Sequence, residues 1–169
     1  MRFESSDSRN NDAGVRLQTT VSAFDVKEFL EDVKEELNAS MKAGQEIQIE
    51  NSGDGQFVTD KRLLKNILIN LLSNAVKFSA ENTSIQLNAV QTGNKLILSV
   101  KDQGIGISGE DQKHLFTSFF RGKNVINIQG TGLGLHIVKR YADLIQGELQ
   151  LESKLGTGTT VIIEIPDLS

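Results

Sequence analysis

Asn66, Asn70, Asn74 and Lys77 follow one another at spacings of four, four and three inside the apolar run NILINLLSNAVKF, residues 66–78. On a helix those spacings put all four side chains on one stripe. Ile67, Leu68, Leu71, Leu72, Ala75 and Phe78 cover much of the remaining surface, so the polar stripe is narrow. Solvated helix faces carry Glu, Lys, Gln and Arg, whereas the short Asn amide competes with the backbone for hydrogen bonds. Something other than helix stability has placed three asparagines here. A second feature speaks to anions: QGTGLGLHIVKRY sets Gly130, Gly132 and Gly134 at the start of a helix. Backbone N–H groups left open there, with the positive end of the helix dipole, suit a negatively charged ligand.

A third feature, DQGIGISG, contains the spacing G-x-G-x-x-G at Gly104, Gly106 and Gly109. A dinucleotide fingerprint of that form needs an acidic residue about 20 positions on. No acid occurs between Asp111 and Asp143, so that reading fails. No Walker A loop occurs either, and any nucleotide must be held in another way. The acid-free interval holds Lys113, Arg121, Lys123, Lys139 and Arg140, against 13 basic and 22 acidic residues in the rest of the chain. A local anion site in an otherwise acidic protein fits this pattern.

Several elements must position these groups. Asp25 and Glu28 form a capping-box pattern ahead of Val26, Phe29, Leu30, Val33 and Leu37, which predicts a helix stopping at Gly44. Strands are expected at 47–50 and 56–59, flanking the turn NSGDG, and a helix from about Asp60 to Ser79. Ile85, Leu87 and Ala89 alternate, as do Leu96, Leu98 and Val100, predicting a hairpin of 84–90 with 95–102. A helix over 133–145 and a hairpin of 147–153 with 159–165 complete the chain. Residues 1–15 are polar and are read as a linker or frayed end, and residues 16–169 as one domain. Helices with a mixed, antiparallel-rich sheet make the expected fold class an α/β two-layer sandwich.

The motifs taken together resemble the catalytic and ATP-binding domain of bacterial sensor histidine kinases, within the superfamily that also holds gyrase, Hsp90 and the mismatch-repair ATPases. NLLSNAVKF (70–78) is similar to the N box, DQGIGI (102–107) to the first glycine box and LFTSFFR (115–121) to the F box. GTGLGL (130–135) is similar to the second glycine box and GTGTT (156–160) to the closing glycine motif. They stand in family order over nearly the whole chain. Val161 departs from the pattern, where an aromatic is common. The resemblance implies a mixed sheet backed by helices, with ATP beneath a lid.

By this resemblance Asn74 supplies an amide oxygen to Mg²⁺, Asn70 supports the phosphates or the metal shell, and Lys77 reaches the triphosphate. Mg²⁺ takes hard oxygen ligands, and a neutral amide adds no negative charge beside a polyanion. Asp102 is the base-selecting residue, since its carboxylate accepts from adenine's exocyclic amine where guanine presents a carbonyl. Phe78 either packs near the base or belongs to the core. The other implied ATP-binding positions are Gly104, Ile105, Gly106, Ile107, Gly130, Thr131, Gly132, Leu133, Gly134, Leu135 and Thr159. Phe116, Phe119 and Phe120 lie at helical spacing and read as core, whereas the resemblance makes them anchors of a lid over 122–129. Arg121 touches the γ-phosphate or stands on the surface. Asn70, Lys77 and Arg121 are the implied catalytic residues.

Hydrolytic and serine-kinase relatives in the superfamily carry a Glu where this chain has Asn70. An amide cannot act as a general base at pH 7, which favours transfer to an already nucleophilic imidazole. The family's acceptor histidine precedes an acidic residue, but His114 precedes Leu115 and His136 precedes Ile137. Both are read as structural. The expected acceptor is therefore a histidine on a dimerisation domain of the same parent protein, outside this chain, with a response regulator receiver domain further on. A non-catalytic nucleotide switch and a hydrolytic ATPase stand as alternatives. The chain has no Cys and two His, which excludes disulfides, thiol catalysis and His-rich metal sites. With a net charge of −4 and no long apolar run, it is expected to be cytoplasmic and to contact neither nucleic acid nor membrane.

Overall fold

The computed structural model describes residues 19–53, 55–104 and 131–169, with the backbone alone over 131–136. The expected linker, F box and lid lie outside the described residues.

The N-cap half of the box forms as its spacing dictates. Asp25 accepts a hydrogen bond from Glu28 N at 2.9 Å and opens α1 (Val26–Leu37). All five residues of the expected stripe are buried. The helix stops at Leu37, short of Gly44, and tightens into a 3-10 turn over Asn38–Ser40. Met41 is then extended, and Gly44 takes a positive φ of 74° in the next turn. Once Leu37 is buried, Asn38 through Ser40 offer no apolar side chain of size to continue the stripe, so nothing pulls the helix onward.

Helix α2 (Lys61–Phe78) is capped by buried Asp60, whose Oδ1 accepts from Leu63 N at 3.1 Å. Its apolar flanks, from Leu63 and Leu64 to Ala75 and Val76, are buried. Helix α3 (Thr131–Leu144) packs against α2 and buries Val138 and Ala142.

Beneath the helices lies one five-stranded sheet in the order β2-β4-β5-β7-β6. It comprises β2 (Glu46–Ser52), β4 (Ser84–Thr92), β5 (Lys95–Lys101), β6 (Glu148–Lys154) and β7 (Gly158–Pro166). Only β2·β4 is parallel; the other pairs are antiparallel, as expected for an antiparallel-rich mixed sheet. The register lines Ile85, Leu87 and Ala89 with Leu96, Leu98, Val100, Ile163 and Ile165 on the buried face. Gln86 and Lys101 face the other way and are exposed, which is the one-sided burial that two-residue alternation encodes.

The two strands flanking NSGDG do not pair with each other. Strand β2 joins the main sheet, while β3 (Gln56–Thr59) pairs antiparallel with β1 (Ser22–Asp25), a strand the sequence pattern did not reveal. The small sheet sets Phe24 opposite Phe57, and the Phe24 and Phe29 rings lie 5.0 Å apart. An alternating run marks a strand but carries no name of its partner.

Candidate functional site

The polar stripe forms as its spacing required. Asn66 and Lys77 are exposed, Asn70 and Asn74 half-buried, between buried flanks. Asn70 Nδ2 donates to Asn66 O at 2.8 Å, and Asn66 Nδ2 donates to Arg62 O at 3.2 Å. An amide has one donating end, so tying Nδ2 back to the preceding turn turns Oδ1 outward. Residue Asn70 thus presents an oriented oxygen at the helix surface. No described residue hydrogen-bonds the Asn74 amide. Nearer the C-terminus, Lys77 Nζ lies 5.6 Å from the centroid of the half-buried Phe78 ring, a cation held against an aromatic face. Phe78 is therefore not plain core.

Asp102 follows the last residue of β5 and is held on three sides. Its N–H donates to Thr159 O at 2.9 Å. Its Oδ1 accepts from Gly104 N at 2.9 Å and from Thr159 N at 3.1 Å. Both bonds fall on one oxygen, and Oδ2 accepts from none of the described residues. Burial pushes the carboxyl above its usual range, against the two backbone N–H groups that draw it down. The close approach depends on Gly158, where φ is 135° and a Cβ would overlap the Asp102 carbonyl oxygen. Glycine is the residue that fits both the conformation and the space.

These pieces converge. A Cβ on Gly104 would stand 2.5 Å from Phe78 O, so the loop after Asp102 rests on the end of α2. Lys77 and Phe78 lie next to the strand end that carries Asp102, with the amide stripe running back along α2. Thr159 acts here through its backbone, since its hydroxyl lies 2.7 Å from Ser153 Oγ across the β6–β7 hairpin. The sequence reading did not single out Ser153; the hairpin register around LGTGT, which pairs Ser153 with Thr159, was the available signal.

Of the remaining expected positions, Ile105, Gly106, Ile107, Phe119, Phe120, Arg121 and Gly130 lie outside the described residues. Thr131, Gly132, Leu133, Gly134 and Leu135 form the opening of α3, two residues earlier than expected. Of the basic cluster, Lys139 Nζ is 2.7 Å from Asp143 Oδ1, so its charge is shared with an acid one turn away.

Chemically the arrangement offers a desolvated carboxylate oxygen for an amine donor, an ammonium for an anion, and amide oxygens for a hard cation. No group of three or more His, Asp or Glu converges among the described residues. A cation here would rest on Asn70 and Asn74 and on the oxygens of its ligand, which suits Mg²⁺ bound with phosphates.

A family model described as "Histidine kinase-, DNA gyrase B-, and HSP90-like ATPase" matches residues 59–169. Among curated relatives, the circadian input-output histidine kinase CikA of Synechococcus elongatus is 40% identical over 124 residues, covering 72% of this chain and 16% of the relative. The histidine protein kinase DivJ of Caulobacter vibrioides is 34% identical over 155 residues, covering 86% and 26%. This chain thus spans only 16% and 26% of these two relatives' length. Among solved structures, the catalytic domain of histidine kinase ThkA superposes with a TM-score of 0.73 at 28% identity, covering 89% of this chain and 97% of that one. Full-length ShkA in complex with AMPPNP gives a TM-score of 0.77 at 27% identity, covering 89% and 32%.

Proposed function

The chain belongs to the histidine kinase-, DNA gyrase B- and HSP90-like ATPase family, and from that premise we propose that it is the ATP-binding, phosphoryl-donating domain of a sensor histidine kinase. The acceptor in this reading is a histidine on a dimerisation domain elsewhere in the parent protein, and a response regulator receives the group afterwards. The reading places the domain in the cytoplasm. Among the described residues no helix is long and apolar enough to cross a membrane.

One observation carries the reading: among the described residues, the hydrogen bonds to the Asp102 side chain fall on Oδ1. Oδ2 is thereby aimed for a donor such as adenine's exocyclic amine, and guanine would set a carbonyl oxygen against it. From that anchor the ligand's phosphates run toward Lys77, whose ammonium offsets their charge, and toward Asn70 and Asn74, which hold Mg²⁺. The cation, when bound, neutralises charge on the phosphate oxygens. In the transfer, an imidazole nitrogen of the acceptor forms a bond to the γ-phosphorus as the bond to the bridging oxygen breaks and ADP leaves. A neutral imidazole needs no base from this chain, and Asn70 cannot be one.

Calorimetric titration with Mg²⁺-ATP and separately with Mg²⁺-GTP tests the site. ATP is expected to bind, GTP to bind at least tenfold more weakly, about 1.4 kcal/mol, and Asp102→Asn to lose the ATP heat while keeping its circular dichroism. Equal affinity for both nucleotides, or an unaltered Asp102→Asn, would remove Asp102 from the site.

A further inference from the structure

The last turn of α2 is held by two side chains that belong to none of the sequence motifs. A helix leaves its final carbonyl groups without partners. Here Lys42 Nζ donates to Lys77 O at 2.9 Å and to Ser79 O at 2.7 Å. Gln45 Nε2 lies 3.1 Å from Val76 O, 3.1 Å from Ser79 O and 3.3 Å from Ala80 O. Gln45 is itself oriented, since its Oε1 accepts from Lys42 N at 2.8 Å. The one carbonyl between these, Phe78 O, faces Gly104. The loop between α1 and β2 therefore grips the helix end at the residues where the phosphate-facing lysine and the Asp102 loop meet. An ammonium at a helix C-terminus also complements the dipole.

We propose that Lys42 and Gln45 are positioning residues of the nucleotide site, fixing the backbone of Lys77 so that its ammonium meets the phosphates while Asp102 holds the base. The proposal rests on the ATP-binding reading. Neither residue touches the ligand; both act through Lys77. A clamp of this kind costs little if it only stabilises the domain, but a helix end free to fray swings Lys77 away from the phosphates. Removing the clamp therefore lowers ATP affinity out of proportion to any loss of stability.

The test is a double-mutant cycle read by calorimetry with Mg²⁺-ATP, well below the melting temperature of every variant. Lys42→Met is expected to weaken binding about fivefold in the wild-type background and less than twofold beside Lys77→Met, because a clamp acting through Lys77 has nothing left to position. Lys42→Arg, which can still donate to both carbonyls, is expected to recover most of the affinity. Gln45→Ala repeats the measurement from the second side chain. Val33→Ala, in the core of α1, controls for stability: it should lower the melting temperature without altering ATP affinity. If Lys42→Met and Gln45→Ala bind ATP as the wild type does, or if the losses from Lys42→Met and Lys77→Met simply add, the positioning role is overturned and the ATP-binding reading survives. If the wild type itself binds no ATP, that reading falls and takes the proposal with it.

Discussion

Asp102 holds its charge in a place that penalises charge. Its carboxyl is pushed up by burial, so its ionised form weakens the folded state at neutral pH relative to an exposed aspartate. For a raised pKa the contribution to stability is present below the ordinary carboxylate value and is lost as pH rises through the folded value. Asp102→Asn removes the charge, and its amide oxygen can still accept from Gly104 N and Thr159 N. The variant is expected to melt at or above the wild-type temperature at pH 7. That advantage should shrink as the pH is lowered and the wild-type carboxyl, its pKa raised by burial, takes up its proton. Thermal melts of both proteins at descending pH check the sign; an advantage that grows in acid would contradict it. Gly158 supports the same residue from the backbone. Gly158→Ala is expected to cost about 1–3 kcal/mol, from the positive φ and the clash with the Asp102 carbonyl, and to lose ATP binding with it. Urea unfolding and calorimetry on the same sample measure both.

Among the elements, α2 is the one whose two ends decide the site. Its start is tied by Asp60, which caps Leu63 N and whose Oδ2 accepts from Thr20 N at 2.7 Å, with Arg62 3.5 Å away. Asp60→Ala loses the cap and leaves a buried donor without a partner, at a cost of about 1–3 kcal/mol. Its urea midpoint should fall accordingly, while Asp60→Asn, which keeps an oxygen for the cap, should fall less. The starts of α1 and α2 were legible, and each is held by a carboxylate that takes the N–H three residues on. The end of α1 was not, because Gly44 marks a later turn and the helix stops where its apolar stripe is complete. The grip of Lys42 and Gln45 on α2 was invisible for a related reason: it spans more than thirty residues and leaves no local pattern.

At the scale of the whole molecule, the proposed reading is that of a phosphoryl-donating domain whose acceptor histidine lies on a separate dimerisation domain. Incubated alone with Mg²⁺-ATP it is expected to bind nucleotide, to release phosphate slowly and to remain unlabelled by γ-³²P. Supplied with a histidine-containing dimerisation domain of its own parent protein, it should label that domain in acid-labile, base-stable form. Steady phosphate release by the isolated chain would instead favour the hydrolytic alternative.

The amino-acid sequence by itself determined what depends on neighbours along the chain. The alternation at 85–89 and 96–100, the cap at Asp25 and the stripe from Asn66 to Lys77 all rest on spacings of two to four residues, which the geometry of strand and helix converts directly into faces. Tertiary structure alone decided that β2 pairs with β4 and β3 with β1, and that Thr159 binds Asp102 through its backbone. Each of these joins residues far apart in sequence. Such contacts are chosen by which surfaces are buried together when the sheet closes under its helices, and no spacing along the chain records that choice.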